Sequence, residues 1–175
     1  MIKFKIPKRN ITEVQRIVKS KAEKYNQRIA DKVNTVAFAI HRDAIANIDK
    51  NKTVDTGILR SKTQVDIATA KNPVALVYSG TDYAPFVEFG TKSKVSVPAE
   101  LKSYARQFKG SKKGSFDELL KKIEKWANRK GLPREAVFPI ALSIARNGTS
   151  AKPFLFPAYF KNRKNFIKAM RGVKI

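Results

Sequence analysis

The 175-residue chain is long enough for one domain with its own core, and its 42% hydrophobic content separates it from a disordered tail. With 37 basic against 14 acidic residues it carries a formal net charge of +23, which favours a polyanion, an acidic protein partner or an anionic surface. The lack of cysteine excludes disulfides and thiolate metal sites, Met1–Lys8 shows no secretory signal, and no apolar run approaches the ~18 residues that span a bilayer.

Met1–Pro7 alternates loosely and reads as a short edge strand or an arm. Asn10 with Glu13 fits an N-cap and capping-box partner. Apolar residues then recur at helical spacing from Ile11 through Val14, Val18, Ala22, Tyr25, Ile29, Val33, Val36, Ile40 and Ala44 to Ile48, which predicts one long helix ending near Asn51. Its second half, around Val36–Ile40, is apolar on nearly all sides and is expected to be buried.

Asp55-Thr56-Gly57 matches the aspartic-protease triplet, but it follows Asn51-Lys52-Thr53 rather than an apolar strand. It reads instead as a cap, with Asp55 or Thr56 opening a helical turn through Ser61 and Ile58 and Leu59 packing inward. Thr63–Thr69 alternates as a half-buried strand, Lys71-Asn72-Pro73 turns, and Val74–Tyr78 forms a second, antiparallel strand. Ser79–Asp82 leads into Tyr83-Ala84-Pro85-Phe86-Val87-Glu88-Phe89-Gly90-Thr91, where Pro85 starts and Gly90 stops a short helix, with an edge strand, which also tolerates Pro, as the alternative.

Residues 92–150 read as an inserted helical segment. A polar loop, Lys92–Val97, precedes a helix over Pro98–Gly110 with Leu101, Tyr104, Ala105 and Phe108 on one face. The basic loop Gly110–Gly114 follows. Ser115 and Glu118 make a capping box for a helix that Gly131 ends and on which Trp126 packs, and a further helix covers Pro139–Asn147. Finally, Pro157 opens a helix with Tyr159, Phe160, Phe166, Ile167 and Met170 as its apolar positions. Its polar face carries Lys161, Arg163, Lys164, Lys168 and Arg171, and no acidic residue follows Glu135.

No catalytic constellation emerges. His41, the single histidine, has no nucleophile or second ligand placed beside it and reads as a helix-surface or core-edge residue. The acids are scattered, so neither a metal site nor a cofactor is expected, and no phosphate-binding glycine loop is present. The basic final helix has two readings: a solvated amphipathic face, or a surface for nucleic-acid backbone or an acidic protein ring. No motif for reading bases is present.

Three segments, in order after the long helix, carry a resemblance. They are Val54-Asp55-Thr56-Gly57 with Leu59-Arg60, then Tyr83-Ala84 running into Val87-Glu88-Phe89-Gly90-Thr91, then Pro153-Phe154-Leu155 with Pro157-Ala158. Over residues 10–91 and 151–171 the chain resembles the tail-completion, or head–tail joining, minor tail component family of tailed double-stranded DNA phages and prophages. The resemblance implies an α+β fold in which a long helix and a final helix pack on a small antiparallel sheet. It also implies a non-enzymatic virion protein that assembles as a homo-oligomeric ring at the neck or tail and contacts portal, neck or tail proteins. Nonspecific DNA binding is the alternative function. The segment 92–150 departs from the family, whose members join the second and third motifs by a shorter loop. In so basic a chain, Glu88 is expected to pair with Arg60 or with a basic residue of the next subunit.

Overall fold

The computed structural model describes residues 8–53, 55–91, 97–108 and 115–173. The expectations for Met1–Pro7, for Val54, for most of the Lys92–Val97 loop and for the Gly110–Gly114 loop lie outside them. The fold is α+β, with seven helices and one two-stranded antiparallel sheet among the described residues. The dominant element is α1, Lys8–Lys50, ~64 Å long at 1.5 Å per residue. It begins two residues before Asn10, so Asn10 lies inside the helix and is not its cap.

The sheet pairs β1, Thr63–Asp66, with β2, Leu76–Ser79, in the register Thr63 opposite Ser79 and Asp66 opposite Leu76. Both strands are shorter than their alternation suggests. Ile67 and Val74, predicted strand residues, are exposed in the connecting loop. A two-stranded sheet is marginal alone and needs a helix against it. Here α1 supplies fixed polar contacts as well as packing. Asn34 donates from Nδ2 to the Ala68 carbonyl at 2.9 Å and accepts the Ala68 N–H at 2.7 Å. His41 Nε2 lies 2.9 Å from the Thr63 carbonyl oxygen. Its hydrogen bond thus ties helix to strand, in keeping with its reading as a core-edge residue.

The last helix, α7, covers Leu155–Arg171 and starts two residues before Pro157. It runs antiparallel to the second half of α1: Asn47 meets Phe154, and Asp43 meets Lys161 and Asn162. The seam is built from small and medium side chains. Ala44, Ile48, Leu59, Ala84, Phe154 and Ala158 form one buried cluster, with Ile40, Ile45, Val87 and Leu155 packed around it. Phe154 and Ile48 are its largest fully buried side chains, each contributing ~1.5–3 kcal/mol of hydrophobic stabilisation. Ala44 and Ala158, one from each helix, let the two helices approach closely. The predicted apolar face of α7 is only partly used: Tyr159, Phe166 and Ile167 are exposed, while Ala158 and Asn162 are buried. In α1, Val36 and Ala37 are buried as expected, but Phe38 is exposed.

Asn162 is the polar residue the apolar periodicity of α7 conceals. Its Nδ2 donates to Asp43 Oδ2 at 2.8 Å and to the Ala158 carbonyl at 2.9 Å. That hydrogen bond, together with Lys161 Nζ at 3.1 Å, holds the Asp43 carboxyl below the ordinary aspartate range despite partial burial.

The shorter helices are α2, Ile58–Ser61, which precedes the sheet, and, between the sheet and α7 in the chain, α3, Ala84–Phe89; α4, Lys102–Arg106; α5, Phe116–Arg129; and α6, Val137–Asn147. Helix α4, preceded by a 3-10 turn at Ala99–Leu101, is shorter than the helix predicted over Pro98–Gly110. Helices α5 and α6 pack on each other through Ala127, Val137 and Ala141, all buried, and through an edge-to-face contact of Phe116 with Phe138. Ser115 caps α5 by accepting the Glu118 N–H, as its sequence pattern indicates, and Trp126 is half-buried on the same helix.

Asn162→Ala removes the donor to Asp43 and leaves a half-buried carboxylate less well satisfied. It is expected to lower unfolding free energy by ~1–3 kcal/mol in urea denaturation. Because the folded pKa of Asp43 is depressed, its contribution is present above the ordinary aspartate pKa and lost as pH falls through the folded value. The deficit of Asn162→Ala should therefore shrink on acidification across that window, and a constant deficit would contradict this assignment.

Candidate functional site: the junction of the motifs

The residues singled out in the sequence converge on one junction, where α3 meets the start of α7 against the end of α1. Helix α3 is short because Pro85 sits in its first turn and Gly90 ends it with φ 66°. This places Glu88 on its buried side at 5% exposure. The carboxylate accepts three backbone N–H groups. Oε2 takes those of Phe154 at 2.9 Å and Leu155 at 3.0 Å, and Oε1 takes that of Phe156 at 2.8 Å. The expected pairing of Glu88 with Arg60 is therefore wrong. Arg60 faces Asp49 at 3.5 Å on the surface, and Glu88 is a helix cap supplied from 66 residues away.

The chemistry follows from the needs of a helix start. The first N–H groups of a helix have no internal carbonyl partner and carry partial positive charge. Local caps are usually Ser, Thr, Asp or Asn, and Ala151–Phe156 contains none of these. In α7, Glu88 satisfies the first two helical N–H groups and that of the preceding residue, while Pro157 at the third position has no N–H to satisfy. Burial pushes the Glu88 carboxyl above the usual glutamate range, and the three N–H groups pull in the opposite direction without overcoming it.

The carbonyls of the same turn are held from the other side. Asn47 Nδ2 donates to the Phe154 carbonyl at 2.9 Å and Asn51 Nδ2 to that of Pro153 at 2.8 Å. Next to Glu88, the Lys152 N–H donates to the Val87 carbonyl at 2.8 Å, and the Thr91 N–H to that of Thr149 at 3.0 Å. Thr91 Oγ1 accepts the Thr149 N–H at 2.8 Å. Gly90 lies where these backbones cross: a Cβ there would stand 2.5 Å from Ala151 N and 2.6 Å from the Thr149 carbonyl oxygen. The motif residues Val87, Glu88, Phe89, Gly90, Thr91, Pro153, Phe154, Leu155, Pro157 and Ala158 are thus brought together.

The first motif lies at the edge of this junction. Leu59 is buried in the shared cluster and Ala84 packs beside it, whereas Ile58 points out at 47% exposure. Gly57, with φ 78°, precedes α2, and neither Asp55 nor Thr56 caps that helix. Asp55 instead pairs with Arg129 and with Lys130 Nζ at 3.7 Å, joining α5 to the α1–α2 connection. The hydrogen-bonded Arg129 guanidinium holds the Asp55 carboxyl below the ordinary aspartate range. An aspartate so engaged is an anchor for α5, which the triplet alone does not reveal. Tyr83 stands beside it at 43% exposure.

Above the junction lies an aromatic layer. Phe89 stacks near Phe108 and Phe156 at centroid distances of 6.0 and 6.4 Å and meets Tyr104 edge-on at 5.6 Å. Phe86 meets Phe108 at 5.5 Å. This layer docks the segment 97–108 onto α3 and α7, and it borders a groove of about 400 Å³ lined by Tyr78, Leu101, Tyr104, Phe156, Tyr159 and Phe160 among others.

The basic face of α7 divides. Lys161 is engaged by Asp43, and Arg163 by Glu100 at 3.0 Å. Lys164, Lys168 and Arg171 are exposed, with no acidic partner among the described residues. No cluster of His, Asp and Glu suited to a metal occurs among the described residues, and no described helix is long and apolar enough to cross a membrane.

The geometry defines a structural module, in which the motif residues hold helices together and present surfaces. Residues 16–90 match the model of the HK97-gp10-like family, described as "Bacteriophage HK97-gp10, putative tail-component". The match covers a little under half of the 175 residues, agrees with the tail-completion resemblance, and stops before the Pro153–Ala158 motif. No curated protein and no solved structure matches the chain.

Gly90→Ala forces a methyl group into backbone at a positive φ and is expected to destabilise the fold by more than ~2 kcal/mol. A melting temperature within a degree of wild type would contradict the close approach. Glu88→Gln keeps the shape but puts an amide NH2 against N–H donors, costing ~1–3 kcal/mol. Because the folded pKa of Glu88 is raised, its own contribution is complete below the ordinary glutamate pKa and falls as pH rises through the folded value. The deficit of Glu88→Gln should be largest on the acid side of that window; a deficit that grows with pH would contradict it.

Proposed function

We propose that the protein is a structural tail component of a tailed phage or prophage. In this reading it acts without catalysis as a ring-forming connector or tail-completion subunit at the neck, joining head to tail in contact with neck, portal or tail proteins. The observation that carries the reading is the family match over residues 16–90, which takes in α1 from Arg16 onward, α2, the sheet and α3 up to Gly90. The geometry supports it. The polar groups of the motifs are engaged in internal hydrogen bonds and ion pairs, leaving apolar and basic surfaces outward. Residues 92–150 are taken as an insertion within a single domain, docked by the aromatic layer and by Asp55.

A second reading, nonspecific contact with DNA lining the channel, rests on Lys164, Lys168 and Arg171, which share one face of α7 at 3–4 residue spacing. Lys161 and Arg163 carry less of it, since both are engaged by carboxylates.

Deleting the gene from an inducible prophage is expected to leave separate filled heads and tails in electron micrographs, with joining restored by the gene in trans. Complete, infectious particles from the deletion strain would overturn the proposal. Replacing Lys164, Lys168 and Arg171 by Gln should reduce the salt slope of DNA binding by up to about 3; an unchanged slope would remove the DNA reading alone.

A further inference from the structure

The apolar positions of α1 run Ile11, Val14, Val18, Ala22, Tyr25, Ile29, Val33, Val36, Ile40 and Ala44. Their spacing is 3-4-4, repeated every 11 residues, which keeps one stripe nearly in line along a straight helix. The two ends of this stripe have different fates. From Tyr25 onward its residues are half-buried or buried, and the sheet, α2 and α7 pack on α1. Every residue from Ile11 to Lys24 is exposed, with Ile11, Val14 and Val18 at 48, 58 and 61%. The same register that seats α7 therefore continues for ~20 Å without a partner among the described residues.

The flanks of the exposed stripe have one sign. At 100° per residue, Lys19 borders it on one side and Lys21 on the other, while Glu13, Glu23 and Asp31 fall on the far face. Two of these acids already have local partners: Glu13 binds Arg16, and Asp31 accepts from Gln27. On the covered stretch the sign is the reverse, with Asp43 of α1 meeting Lys161 of α7. We propose that residues 11–24 of α1 are a docking surface for an amphipathic helix of another protein, whose apolar stripe is flanked by Asp and Glu. A second copy of the chain fits poorly. Its α7 is basic, and its own α1 would set lysine flanks against lysine flanks while the acids of both helices pointed away. The proposal does not depend on the tail reading.

The test uses the full chain and designed helical peptides two 11-residue repeats long, with leucine in the 3-4-4 stripe. One carries glutamate flanks, one lysine flanks, and one is a scrambled version of the glutamate peptide. In fluorescence anisotropy the glutamate peptide should bind, and lose about tenfold in affinity between low and moderate salt. The other two should bind at least about tenfold more weakly. Replacing Val14 and Val18 by Ser, which leaves the charge unchanged, should weaken binding about tenfold or more, whereas Ile67→Ser, at an equally exposed apolar position in the β1–β2 connection, should have no effect. Circular dichroism should report unchanged helicity for both. Equal binding of the glutamate and scrambled peptides would overturn the proposal, as would binding unmoved by the Val14 and Val18 changes. So would self-association of the free chain that those two changes abolish, or their loss of binding to phosphatidylglycerol vesicles without loss of peptide binding.

Discussion

One buried carboxylate organises this molecule. Glu88 leaves a short helix, reaches the first turn of a helix 66 residues further on, and takes three N–H groups that have no internal helical partner. A buried carboxylate carries a desolvation cost, visible in its raised pKa. That cost is offset in part, because the N–H groups it meets would otherwise lack partners in an apolar turn and because the positive end of a helix favours a negative charge. The position of α7 follows, and from it the seam with α1, the burial of Phe154 and the crossing of backbones at Gly90.

The same turn explains why the motif residues occur as they do. Phe154 supplies the buried mass, while Asn47 and Asn51 from α1 hold the carbonyls that Glu88 does not address. Pro157 removes one N–H that would need a cap. Thr91 and Thr149 hydrogen-bond to each other where the chain leaves this junction and returns to it. Each of these side chains acts on backbone, so a change at any of them is felt as misplacement of a helix. The outward surfaces differ in kind: a basic ridge on α7, an aromatic-lined groove, and the bare first half of α1.

Much of this was legible from residues alone. The 3.6-residue periodicity marks α1, α5, α6 and α7, and the Pro85–Gly90 pair brackets α3 within a residue. The hairpin was readable from alternation around the Lys71–Pro73 turn, though only four residues per strand pair. The failures share a cause: hydrogen bonds between residues far apart leave no local pattern. The partner of Glu88 is 66 residues away, and that of Asp55 is 74. Asn162 hides on an apolar helix face because its partner is on α1. One signal was available. A helix start with no Ser, Thr, Asp or Asn before it, at Ala151–Phe156, demands a cap from elsewhere, and Glu88 is an acid set among apolar residues. The reading of Asn10 and Asp55 as caps failed for the opposite reason: such residues also occur within helices and in ion pairs.

The most direct measurement is amide hydrogen exchange of Phe154, Leu155 and Phe156 by NMR. First-turn amides ordinarily exchange quickly, since nothing within the helix accepts them. Capture by Glu88 predicts that these three are protected to the level of the α1 amides near Ala44 and Ile48, and that Glu88→Ala abolishes their protection while residual helix in α1 stays protected. Rapid exchange of the three in the wild-type chain would contradict the account.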